Sequence, residues 1–242
     1  PRRGFVGHRM SVRIHPSADV DDGVEIGDGT SVWHLVHVRT GAKVGRDCIL
    51  GRGSYIGAGV VMGDNCKVQN YALVYEPAVL GDGVFIGPAA VLTNDEYPRA
   101  VAPDGALKSA DDWHAVGVTI GEGASIGARA VCVAPVTIGA WATIAAGAVV
   151  TRDVPAFGLV AGVPARRIRW VGRAGVPLEP LGDGEFRCPA TQARYREVDD
   201  QTLVEVAPDG GAVSDVGSRP AGDPSSLAGN GPADEGTSRW QT

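Results

Sequence analysis

The chain is short of helix-favouring composition, of paired cysteines and of basic charge. Glycine and proline take 35 and 16 of its 242 positions, roughly a fifth where about 12% is average. Both weaken helix interiors, so a helical bundle is disfavoured. The four cysteines, at 48, 66, 132 and 188, form no C-x-x-C pair, and neither a metal site nor a disulfide framework is indicated. With a net charge of −6 and an isoelectric point near 5.3, general nucleic-acid binding is disfavoured too. PRRGFVGHRM, the first ten residues, has no apolar core of signal-peptide length, and a cytoplasmic compartment is expected. Residues 130–151 carry no charge over 22 positions, which is membrane-span length. They hold Pro135, Gly139 and Gly147, however, and are rich in Val, Ile and Thr. The repeat below explains them without a membrane.

What the chain does have is a period of six. Stepping by six from Ile14 gives Val20, Ile26, Val32, Val38, Val44, Leu50, Ile56, Met62, Val68, Val74, Leu80, Ile86 and Leu92 without a break. The phase resumes at Ile120, Ile126, Cys132, Ile138, Ile144 and Val150. Glycine often follows the aliphatic, and three positions after it Gly recurs with Asp47 and Asn65, residue types that tolerate a left-handed backbone. Four positions after it the residue is small or slender, as at Thr30, Ala42, Cys48, Ser54, Cys66 and Ala72. This pattern predicts short strands joined at corners, stacked in coils that share one core. The uncharged stretch is then solenoid core, and Cys48, Cys66 and Cys132 lie inside. The gap from Leu92 to Ile120 is not a multiple of six, so part of 93–117 leaves the coil as a loop, a place where function concentrates.

These hexads resemble the [LIV]-[GAED]-x-x-[STAV]-x pattern of the hexapeptide-repeat acyltransferases. The segments HPSADVDDGVEIGDGTSVWHLVHVRTGAKVG, KVQNYALVYE, FIGPAAVLTNDEYPRA and GAVVTRDVPAFGLVAGVPARRI look like the nucleotide-linked amino-sugar N-acetyltransferases. Relatives of that pattern act on UDP-2-acetamido-3-amino-2,3-dideoxyglucuronate or dTDP-3-amino-3,6-dideoxyhexoses. The resemblance implies an all-β fold, a left-handed parallel β-helix of three hexads per coil, with an inserted loop and a C-terminal extension. It also implies a homotrimer, with acetyl-coenzyme A as co-substrate, a nucleotide sugar as acceptor and sites between subunits. The expected organisation is a β-helix over 11–170 with its excursion at 93–117, a small cap or hairpin over 171–206, and a disordered tail from 207. No metal and no nucleic-acid or membrane partner is expected. The γ-class carbonic anhydrases share the architecture, but their His-x4-His pair is absent.

The candidate site residues follow from both sources. The resemblance gives Asn94, in the TND segment, the contact to the sugar amine, and Asp95 a role in holding the sugar or its ammonium proton. With 18 residues per coil, Glu76 stacks about 4.8 Å below Asn94, in the same pocket. His34, Arg52 and Asn70 share one hexad position on successive coils and project outward in a column. His34 is a candidate base or substrate contact and Asn70 a substrate contact, about two strand spacings apart. Tyr97 joins the substrate group, and Arg39 or Arg99 is placed to meet a sugar carboxylate. The resemblance puts Arg152, Arg166, Ala146 and Gly162 at the coenzyme, the arginines suiting its phosphates. O-acetylation of a sugar or serine hydroxyl through a His base, and a noncatalytic trimeric solenoid, remain open alternatives.

Overall fold

A computed structural model describes residues 11–109 and 112–207. The expected tail beyond 207 lies outside the described residues, as do the first ten. The repeat is realised as a left-handed parallel β-helix of about eight turns. Strands of two residues, such as Lys43–Val44, Ile49–Leu50 and Tyr55–Ile56, succeed one another around three sheets. Each strand pairs in parallel with one a full coil away, as in Val32↔Leu50 and Leu50↔Val68. Corner one joins the first sheet to the second, corner two the second to the third, and corner three the third back to the first.

The hexad explains the burial. Its aliphatic residue turns inward while the residue before it stays half-buried on the outer face. Leu50, Ile56, Val68, Leu80, Ile86, Leu92, Ile120 and Ile126 are all sealed, and so are the small slots Ala42, Cys48, Cys66, Ala72, Ala90 and Ala124. Burying one such Leu or Ile stabilises the coil by roughly 1.5–3 kcal/mol. Amides flanking each strand donate to the next coil, for instance Ile49 N–H to Cys66 O at 2.9 Å and Gly51 N–H to Val68 O at 2.7 Å. Cys48, Cys66 and Cys132 lie inside, as expected, and burial pushes the Cys132 thiol up to about 12. Only the first coil is open, with no coil beneath it among the described residues, leaving Ile14 48% exposed.

The turn position differs from its expected occupancy. It is left-handed at Gly23, Asp47 and Asn65, but also at Leu35, Tyr71, Ala89, Arg129 and Trp141. A left-handed residue with a side chain costs roughly 1–2 kcal/mol. Stacking offsets this, because the turn amide donates to the coil below: Tyr71 N–H to Arg52 O at 2.9 Å, Ala89 N–H to Asn70 O at 3.0 Å, Trp141 N–H to Glu122 O at 2.8 Å.

Two features depart from the coil. Register Val79↔Thr119 places 40 residues between neighbouring strands, where the coils below are spaced by 18. The excess is the excursion expected in 93–117, closed at its neck by Val116 N–H donating to Asn94 O at 3.1 Å. At the other end, Gly158–Gly162 adds to the first sheet and Ala165–Trp170 returns antiparallel on it. Beyond lies a four-stranded antiparallel sheet, Glu179–Gly182, Glu185–Arg187, Arg194–Asp199 and Thr202–Val206. It has its own core of Phe157, Trp170, Leu178, Cys188, Tyr195 and Leu203. Among the described residues no helix is long and apolar enough to cross a membrane.

Candidate functional site

The coil sorts the expected site residues into two columns. His34, Arg52, Asn70, Ala146 and Gly162 stack along corner one, as the registers Val32↔Leu50, Leu50↔Val68, Ile126↔Ile144 and Ile144↔Val160 require. Glu76, Asn94 and Arg152 stack along corner two, through Val74↔Leu92, Leu92↔Cys132 and Cys132↔Val150. The two columns stand at opposite edges of the second sheet.

Corner one carries a surface depression of about 320 Å³, lined by Trp33, His34, Ile49, Gly51, Arg52, Gln69 and Asn70. His34 is held by ring stacking on His15, centroids 3.4 Å apart, with the Trp33 ring nearly parallel to it at 6.3 Å. His15 in turn contacts Ser17 Oγ through Nδ1 at 2.9 Å. Loss of solvation, and then the neighbouring His34, hold the His15 imidazole below its ordinary value. Asn70 Oδ1 accepts the Arg52 backbone N–H at 3.0 Å, and Arg52 Nε donates to the Tyr71 hydroxyl at 3.1 Å.

Corner two is built around Glu76. Its Oε2 is buried and has no hydrogen-bond partner, and the carboxylate lies over Gly57, where a Cβ would overlap it. Tyr55 and Tyr75 stand beside it with ring centroids 5.1 Å apart. Burial, and then the Glu76 carboxylate, push the Tyr55 phenol up. One coil above Glu76, Asn94 is half-buried. Thr93 Oγ1 anchors the loop exit by accepting the Ala134 N–H at 2.9 Å, while Asp95 Oδ1 accepts the Tyr97 N–H at 2.9 Å. This leaves Tyr97 76% exposed on the loop.

The arginines divide. Arg39 is engaged: its Nε donates to Asp21 Oδ2 at 3.0 Å and its Nη1 to the Tyr55 hydroxyl at 3.5 Å. That guanidinium, more than any other group, holds the Asp21 carboxyl below its usual range. Asp21 also faces His37 Nε2 at 3.5 Å. Arg99 is exposed and donates to its neighbour Pro98 O. Arg152 and Arg166 are exposed, and no carboxylate pairs with either among the described residues. Arg167 and Arg173 serve the C-terminal sheet, covering Trp170 and Trp141 and pairing with Glu197 and Glu205. Sequence reasoning missed Tyr55, Tyr75 and Asp21. The 18-residue spacing that found Glu76 also pairs Asp21 with Arg39.

Comparison with known proteins points the same way as the fold. A six-repeat bacterial transferase hexapeptide model matches residues 23–63 and 59–94, and a hexapeptide repeat of succinyl-transferase matches 117–152. The chain is similar to the bifunctional protein GlmU of Nitratidesulfovibrio vulgaris, 34% identical over 144 residues, covering 59% of this chain and 31% of that protein. It is similar also to a serine acetyltransferase of Synechococcus elongatus, 30% identical over 163 residues, covering 66% of this chain and 54% of that protein. The chain thus spans about a third to a half of the length of these curated relatives. A solved structure of a mutant perosamine N-acetyltransferase from Caulobacter crescentus, in complex with CoA and GDP-perosamine, is 25% identical at a TM-score of 0.43. It covers 67% of this chain and 58% of that one.

Proposed function

Because the chain carries the hexapeptide repeats of bacterial transferases over 23–94 and 117–152, we propose that it is a coenzyme A-dependent N-acetyltransferase. Its acceptor is the 3-amino group of a nucleotide-linked sugar. The observation that carries this reading is corner two. There the half-buried Asn94 stands at the neck of the loop, directly above Glu76 with its buried, unpartnered Oε2. A buried carboxylate oxygen without a partner is costly, and an ammonium or amine N–H would satisfy it.

The chemistry asks for positioning more than for a strong base. The neutral amine nitrogen attacks the thioester carbonyl carbon of acetyl-coenzyme A. A C–N bond forms, the C–S bond breaks, and the proton lost by nitrogen ends on the departing thiolate. Asn94 orients the amine, Glu76 accepts one of its hydrogens, and Asp95 supports the loop exit. The unneutralised Arg166, beside Gly162 above Ala146 on corner one, and Arg152, at the upper end of corner two, suit the coenzyme's phosphates. A homotrimer accounts for the split between the columns, since packed prisms would bring corner one of one copy against corner two of the next.

Incubation with acetyl-coenzyme A and a panel of UDP- and dTDP-linked 3-amino sugars tests this reading by release of free thiol. Turnover with a 3-amino sugar is expected; no turnover with any amine acceptor would sink it. A second reading, O-acetylation, is favoured by His34 in the corner-one depression and by the serine acetyltransferase relative. Turnover of a hydroxyl acceptor that His34→Ala abolishes would select it.

A further inference from the structure

The depression on corner one arises from one residue. In the hexad slot that follows the aliphatic, Trp33, Gly51 and Gln69 occupy three successive coils. Gly51 lacks a side chain where both neighbours have a large one, and it forms the floor between them. A Cβ there would meet Asn70 N and Oδ1 at 2.8 Å. Ile49 gives the floor an apolar edge. Trp33 and Gln69 are two strand spacings apart, about 10 Å, which leaves room for a flat ring against the half-exposed indole.

The walls carry a particular set of unused groups. Asn70 spends its oxygen on the Arg52 amide, which leaves its NH₂ to donate. The neighbouring Gln69 side-chain amide makes no hydrogen bond among the described residues. Arg52 is tethered through Nε to Tyr71, whose ring lies over Gly53. No carboxylate pairs with Arg52 among the described residues, so its terminal nitrogens are free. An exposed aromatic face stacks a base, paired amides read a base edge of alternating donors and acceptors, and a free guanidinium binds phosphate. At about 320 Å³ the depression lies at the small end of ligand sites.

We infer that the depression over Gly51 is a nucleotide subsite: Trp33 carries the base, Gln69 and Asn70 read its edge, and Arg52 holds the phosphates. The inference rests on the proposed transferase reading for its source of nucleotide. Two sources share the chemistry, the nucleoside diphosphate of a sugar donor and the 3′-phosphorylated adenosine end of coenzyme A. Asn70 lies three coils below Ala146, about 14 Å, which favours the sugar nucleotide.

The test is calorimetric titration of the full chain and of Arg52→Met, Asn70→Ala and Trp33→Ala with UDP, dTDP and adenosine 3′,5′-bisphosphate. Circular dichroism melts confirm that each variant folds. The expected result is binding of UDP or dTDP that weakens about tenfold or more in each variant, with adenosine bisphosphate binding unchanged. Loss confined to adenosine bisphosphate would give the subsite to the coenzyme and overturn the sugar-nucleotide assignment. Affinities unchanged in all three variants would overturn the subsite itself. The two readings fail separately. Nucleotide binding through these residues without turnover of any amine defeats only the transferase. Turnover whose KM for the nucleotide sugar ignores all three substitutions defeats only the subsite.

Discussion

Corners one and three of the same prism are built from the same hexad and end up chemically opposite. On corner three, Arg46 donates through Nη2 to Asp64 Oδ2 at 2.6 Å and through its backbone N–H to Oδ1 at 2.7 Å, while the Asp64 N–H donates to Asp82 Oδ1 at 2.8 Å. Each carboxylate there caps the coil below. On corner one the equivalent residues, His34, Arg52 and Asn70, leave a guanidinium and amide groups without acidic partners around a depression. Projection from the coil is therefore no sign of function by itself. What distinguishes corner one is polar capacity that neighbouring coils do not consume.

The comparison can be broken or sharpened by substitution, starting with what both corners depend on. Leu80→Ala in the shared core should cost about 2–5 kcal/mol in urea unfolding; a cost near zero would mean the coil is not close-packed there. Asn94→Ala should lower kcat/KM by about a hundredfold with an unchanged melting temperature, measured as thiol release. Arg52→Met should raise KM for the nucleotide sugar about tenfold at unchanged kcat, the signature of lost uniform binding, again without a change in melting. Asp64→Asn should do the reverse, lowering the melting temperature slightly, since exposed ion pairs contribute little, and leaving kcat/KM alone. A smaller effect still follows from pH. Side-chain bonding to Arg46 holds the Asp64 carboxyl below its ordinary 3.8. The stability it lends is thus complete above that value and is lost as pH falls through the lower folded value. Melting curves taken from about pH 5 down to about pH 2 should show that loss in the native chain and not in Asp64→Asn.

The hexad was legible because the inward slots obey a local rule: Val68 and Leu80 face the core for the same reason, whatever lies outside. The stacking of Glu76 under Asn94 was legible by arithmetic on the coil. The turn residues Leu35, Tyr71 and Trp141 were not, because a left-handed backbone at such residues is held by hydrogen bonds from other coils, and local propensity is silent about them. The engagement of Arg39 by Asp21 was not legible, because the 18-residue spacing brings the two within reach but does not say which polar neighbour a long, flexible side chain turns to. The loop's path after Asp95 departs from any repeat, so no periodic argument reaches it. The four-stranded C-terminal sheet showed in the sequence only as an alternation that resembled a hairpin.

The most direct test is a paired measurement on Arg52→Met and Asp64→Asn: steady-state kinetics with the preferred nucleotide sugar and thermal melting of the same samples. The account predicts a crossed result, with Arg52→Met impaired in KM but not in melting and Asp64→Asn impaired in melting but not in KM. Equal effects of both substitutions on both quantities would contradict it, because the two corners would then differ in nothing that matters to the chemistry.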